Sequence, residues 1–184
     1  MSFRIVVCAV TALGLSACSG ASTSLQPVLP TEVPARAPVG EVREGLVVDR
    51  VVDGDTIKVT IDGRQVSVRM IGIDTPESVK PDSPVECFGP EASRFAEQAL
   101  TNEPVVLEFD ETQGYLDRFE RVLAHVWRVQ PDGTLRLFNE EAVESGVAIA
   151  RRYGDAPHAW EPTLSAAQDR ARAAGRGLWS ACPS

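Results

Sequence analysis

Acidic and basic residues fall along this chain in a pattern that solubility alone does not require. Asp53-Gly54-Asp55-Thr56 reads as a turn between two strands, Arg69 lies on the next alternating run, and Asp74-Thr75-Pro76-Glu77 closes that run. Two aspartates from separate turns supply the hard oxygen ligands that a calcium ion takes, with a backbone carbonyl and waters completing the shell. Glu77 follows Asp74 closely enough to hold a water beside such an ion. Arg69 and Arg121 offer planar, permanently charged forks for a phosphate. A metal, a base and two cations are the parts that hydrolysis of a phosphodiester needs. Each part also has a plain structural explanation: Asp-Gly turns are common, Asp-Thr-Pro-Glu can cap a turn, and a strand arginine is usually solvated or ion-paired.

Composition narrows the alternatives. The 184 residues carry 18 Lys plus Arg against 26 Asp plus Glu, a net charge of −8, so the surface is not that of a purely electrostatic nucleic-acid binder. With only His125 and His158, a histidine-rich zinc site, an HNH centre and a Ser-His-Asp arrangement all lack their parts. His125 lies inside an alternating run and reads as a packed or surface residue, and Trp127, Trp160 and Trp179 read as packing residues.

Five alternating, β-branched runs must position the acids and arginines: Gly45–Val52, Thr56–Ile61, Gln65–Ile73, Val105–Phe109 and Val122–Val129. Asp62-Gly63 is a hairpin signal between the second and third. Helices are expected over Pro90–Leu100, with Pro90 in the first turn and Ala92, Phe95, Ala96 and Leu100 as its stripe, over Asn139–Ser145, and over Thr163–Ala174 before Gly175. The result is an α+β fold, mainly β: a five-stranded barrel of the oligonucleotide-binding (OB) kind with about three helices.

The N-terminus is expected to stand apart from that fold. Residues 1–17 combine Arg4, an apolar run from Ile5 to Leu15 too short to span a membrane, and a small-residue cleavage site, which describes a signal peptide. Leu15-Ser16-Ala17-Cys18 resembles a bacterial lipobox, which implies acylation of Cys18; an ordinary cleaved signal is the alternative. Residues 18–44 then form a lipidated N-terminus and a Pro/Ser/Ala-rich tether, and 45–184 the folded domain. Of four cysteines, Cys87 and Cys182 remain for that domain. Outside the cytoplasm they are expected to pair as a disulfide, a two-cysteine metal site being the weaker reading.

Taken in order, Val51-Val52-Asp53-Gly54-Asp55-Thr56, Val68-Arg69-Met70-Ile71-Gly72-Ile73-Asp74-Thr75-Pro76-Glu77, Phe88-Gly89-Pro90-Glu91-Ala92-Ser93, Asp117 to Arg121, Asn139-Glu140 and Gly177-Leu178-Trp179-Ser180 resemble the thermonuclease (staphylococcal nuclease) family. The resemblance implies calcium held by Asp55, Asp74 and the carbonyl of Thr75, with Asp53 behind them. It implies Glu77 as the general base, or at least the group that orients the attacking water, and Arg69 and Arg121 on the phosphate. It implies cleavage of DNA and RNA to 3′-phosphate ends and a loop over Ser78–Val85 beside the site; a monomer is expected, with its membrane contact limited to the lipid anchor that the lipobox-like segment implies. Arg151-Arg152-Tyr153 occupies the place of the base-stacking aromatic pair, with Arg152 and Tyr153 as the expected substrate contacts and a guanidinium sharing the stacking; a solvated basic turn is the alternative. One departure stands out: Phe119-Glu120 replaces the family's Tyr-Gly before Arg121. A glycine with positive φ there would make Glu120 strained; a strand beginning at Arg121, the favoured picture, would make it harmless. The rival readings are a non-catalytic nucleic-acid-binding module of the same fold and a calcium-stabilised envelope lipoprotein.

Overall fold

A computed structural model describes residues 33–78 and 84–182. The expected signal segment, Cys18, the first part of the tether and residues 79–83 lie outside the described residues. In chain order the elements are β1 (Glu41–Asp53), β2 (Thr56–Ile61), β3 (Arg64–Met70), β4 (Ile73–Asp74), α1 (Gly89–Leu100), β5 (Pro104–Phe109), β6 (Val122–Val129), β7 (Leu135–Leu137), α2 (Phe138–Glu144), β8 (Ile149–Ala150), α3 (Glu161–Ala173) and α4 (Leu178–Ala181).

The barrel closes because β1 is shared. Its first half pairs antiparallel with β5, Glu41 opposite Phe109 and Val47 opposite Pro104, and its second half pairs with β2, Val48 opposite Val59. The register slips between Arg43 and Leu46, where Gly45 takes φ 73°, a bulge that bends the strand from one neighbour to the next. Asp62 and Gly63 both have positive φ, 50° and 76°, as the tight β2–β3 hairpin requires. β3 then lies parallel to β6, with Val68, Arg69 and Met70 opposite Val122, Leu123 and Ala124. That pairing completes a five-stranded OB-fold barrel in the order β3-β2-β1-β5-β6, which β7 extends. Val48, Ile57, Val59, Val68, Met70, Leu107, Ala124 and Val126 are buried in the core, and α1 adds Ala92, Phe95, Ala96, Ala99 and Leu100.

Four features depart from the expected layout. β1 begins at Glu41 rather than Gly45, and ahead of it Val33 is buried and Arg36 pairs with Glu140 at 2.9 Å. β3 ends at Met70, because Gly72 takes φ 78° and turns the chain into β4, which pairs with β8. β7 is an extra strand beside β6. The described residues hold four helices rather than about three, the last a single turn.

Asn139 shows why α2 sits where it does. Its side chain accepts the Val126 N–H at 2.9 Å and donates to the Ile71 carbonyl at 2.8 Å, joining α2 to the barrel rim. The same helix buries Glu140, Glu141 and Glu144, whose carboxylates meet Arg36, Arg128 and Arg170. On the outer face of β5 and β6, Glu108 is 1% exposed and accepts four bonds: from the backbone N–H groups of Val39 and Gly40 at 2.7 and 2.8 Å, and from the indoles of Trp127 and Trp160 at 2.8 Å each. A disulfide joins Cys87 to Cys182, Cα to Cα 5.8 Å, and closes a loop whose restriction contributes about 2–5 kcal/mol. No helix among the described residues is long and apolar enough to cross a membrane.

Candidate active site

Two turns meet at the barrel mouth. Asp55 ends the β1–β2 turn, and its Oδ2 accepts the backbone N–H of Thr75 at 3.0 Å and the Thr75 hydroxyl at 3.1 Å. The turns approach so closely that a Cβ at Gly54 would lie 2.8 Å from the Thr75 methyl, so glycine is required there for space. Asp53 folds back to accept the Asp55 N–H at 3.2 Å. Asp55 is 5% exposed, and burial pushes its carboxyl up to about 7, against the pull of Arg69 and with a further push from Asp53.

The parallel β3–β6 pairing sets the arginines. Arg69, on β3, reaches Asp55 at 3.0 Å and Asp74 at 3.2 Å, and also donates to the carbonyls of Met70 and Ile73. Arg121 stands just before β6 and is held by Asp117, whose carboxylate accepts from Arg121 Nε at 2.7 Å and from its backbone N–H at 3.0 Å. Asp117 also accepts the Phe119 N–H at 2.8 Å, so one carboxylate organises the whole 117–121 turn. Burial raises the Asp117 carboxyl, but these donors and the guanidinium outweigh it and hold it below its ordinary range.

The favoured picture of Glu120 is corrected here. β6 starts at Val122, not Arg121, and Glu120 sits in the turn with φ 60°, so the left-handed conformation does fall on a residue with a Cβ. Arg121 nonetheless pairs with Asp117, and Glu120 is exposed.

Asp53, Asp55, Arg69, Asp74, Thr75, Glu77 and Arg121 together line a polar cleft of about 110 Å³. Behind the same two arginines opens a groove of about 520 Å³ lined by Ile71, Leu123, Phe119 and Tyr153 among others. The Tyr153 hydroxyl donates to Asp74 at 2.7 Å, and the guanidinium groups of Arg69 and Arg151 lie over its ring, 5.4 and 5.2 Å from the centroid. Burial and the bond to Asp74 push that phenol up to about 12. Arg152 stands apart, paired with Glu161 of α3. Arg151 instead reaches Asp74 at 2.6 Å. The sequence placed Arg151 beside the substrate without its bond to Asp74, and it missed the roles of Asp117 and of Glu86, which accepts the backbone N–H of Glu77 at 3.0 Å. Of these, only Asp117, four residues before Arg121, left a local signal.

Among the described residues no three His, Cys, Asp or Glu side chains are gathered as a ready-made metal cage. The set expected here is smaller, two carboxylates and a carbonyl. Its all-oxygen chemistry, and a buried Asp55 that is poorly charged without more positive partners, fit a hard divalent cation.

Barrel, acidic cleft and the two arginines at its rim define a small OB-fold protein with a candidate active site at the barrel mouth. The chain belongs to the staphylococcal nuclease family: the family described as Staphylococcal nuclease homologue matches residues 67–181. It is 42% identical over 131 residues to the thermonuclease of Staphylococcus hyicus, covering 71% of this chain and 73% of that one. To the thermonuclease of Staphylococcus intermedius it is 43% identical over 110 residues, 60% of this chain and 61% of the relative. Endonuclease YncB of Bacillus subtilis is 38% identical over 100 residues, 53% and 47%. These relationships support a nuclease, a hydrolase of nucleic acids.

Proposed function

We propose that this protein is a calcium-dependent nuclease that hydrolyses DNA and RNA and leaves 3′-phosphate ends. The observation that carries the reading is the β3–β6 pairing, which brings Arg69 and Arg121 to the rim of the cleft holding Asp55, Asp74 and Glu77. Asp55, Asp74 and the Thr75 carbonyl would hold the ion, with Asp53 bracing Asp55 from behind. When bound, calcium supplies positive charge that offsets the phosphate's. Glu77 accepts the proton of the attacking water. Arg69 and Arg121 orient the phosphate and stabilise the charge that builds on it, and one of them assists departure of the 5′-oxygen. Tyr153, at the mouth of the larger groove, receives a base or sugar from the substrate.

The disulfide supports a place outside the cytoplasm, with the lipobox-like segment anchoring a monomer to the cell envelope through Cys18 or, cleaved as an ordinary signal, releasing it. Hydrolysis of single-stranded DNA by the mature chain, with calcium and then with a chelator, tests the reading. Calcium-dependent cleavage to 3′-phosphate ends, lost in Glu77→Gln, is expected. Nucleotide binding without cleavage would mark a binding module instead, and metal-dependent melting without nucleotide affinity a structural lipoprotein.

A further inference from the structure

Glu86 touches Glu77 twice. Its carboxylate accepts the Glu77 backbone N–H at 3.0 Å, and its own backbone N–H donates to the Glu77 carbonyl at 2.9 Å. One residue thus grips both polar groups of Glu77's main chain, with a side-chain arm and a main-chain arm. The approach is tight on the far side as well. A Cβ at Gly89 would lie 2.5 Å from the Glu77 carbonyl oxygen, so the start of α1 can close on this segment only because it is glycine. Gly89 in turn donates to the Glu86 carbonyl at 3.0 Å, and Ser78 meets Ser93 of α1 hydroxyl to hydroxyl at 2.6 Å. The residue after Glu86 is Cys87, covalently tied to Cys182.

Glu86 is itself exposed and outside the hydrophobic core. An exposed carboxylate adds little stability through one such bond, so its contribution falls on geometry. We propose that Glu86 is a positioning residue: by holding the main chain of Glu77 it aims the Glu77 carboxylate into the acidic cleft. The inference rests on Glu77 acting as the base, as proposed above.

The test uses the full, oxidised mature chain on single-stranded DNA with calcium, comparing the parent with Glu86→Ala, Glu86→Asp and Glu86→Gln. Alanine removes the side-chain arm, aspartate keeps its charge but withdraws its reach, and glutamine keeps both an acceptor and the reach. Alanine and aspartate are expected to lower kcat on the order of tenfold to a hundredfold with KM unchanged, whereas glutamine retains most of the parent kcat. Melting midpoints identify any variant that has failed to fold. Should alanine do so, the aspartate–glutamine pair decides the matter. Parent-level kcat in the aspartate variant, or glutamine as impaired as alanine, would overturn the inference while leaving the nuclease reading intact. A parent chain that does not cleave would overturn both.

Discussion

Trp127 and Trp160 donate their indole N–H groups to the same oxygen of Glu108, each at 2.8 Å, while their rings meet edge-on with centroids 5.2 Å apart. Trp160 leads into α3 and Trp127 belongs to β6, so this buried carboxylate fastens the last long helix to the barrel wall. Through Val39 and Gly40 it also fastens the chain entering β1. Replacing Glu108 by Ala leaves four donors without an acceptor. Urea unfolding should show a loss of at least about 3 kcal/mol, since bonds to charged acceptors are worth about 1.5–3 kcal/mol each. A loss under 1 kcal/mol would mean that water replaces the carboxylate at no cost.

Glu120 bears a left-handed φ of 60° that glycine adopts freely. Glu120→Gly is expected to raise stability by about 1 kcal/mol, read as a higher urea midpoint at unchanged slope. Because Arg121 is held by Asp117 and not by Glu120, the substitution should leave KM for DNA unchanged.

His125 is fully buried against His158, centroids 5.2 Å apart, and among the described residues neither of its ring nitrogens has a hydrogen-bond partner. Burial, aided by His158, pushes its imidazole down to about 3, and burial lowers His158 as well. Glu161 and Asp110 face the pair and pull the other way without reversing it. The unfolded imidazole takes its proton near 6.5, so below that pH the unfolded chain binds more protons. The stability contributed by neutral His125 is therefore complete above pH 6.5 and is lost as the pH falls towards 3, by about 1.4 kcal/mol per pH unit. His125→Phe keeps the ring without the charge, so the parent should lose ground to the variant between pH 7 and pH 4. A difference that stays constant with pH would refute this.

Asp55 behaves in the opposite sense. Its folded pKa is raised to about 7, so without a cation its contribution is present below the ordinary carboxylate range and is lost as pH rises towards 7. In chelator at pH 8, Asp55→Asn should melt at a higher temperature than the parent. Calcium should raise the parent's midpoint and leave the variant's unchanged. A variant that gains as much from calcium as the parent would remove Asp55 from the ligand set.

Why these features were legible to different degrees follows from the length scale of each signal. The strand pairs Val48–Val59 and Ile57–Val68 alternate in sequence, and Asp62-Gly63 announces its turn, so most of the barrel could be read directly. β4 and β8 span two residues each, too few to carry a period, and β1 hid its early start because the exposed Glu41–Glu44 offers no alternation. Asp55, Arg69 and Asp74 lie on neighbouring turns and strands and could be grouped by inspection. The partners that orient them come from afar: Arg151 reaches Asp74 across 77 residues, and only tertiary structure places it there. For Glu120 the alternation argument chose the wrong conformation, since the strand begins one residue later than it assumed.

Cys87 and Cys182 are separated by 95 residues, so ribosomal synthesis delivers one long before the other. A reducing cytosol keeps both as thiols. Until that bond forms, the segment carrying Glu86 has only non-covalent anchorage, although every acid and arginine of the cleft precedes Cys182 in the chain.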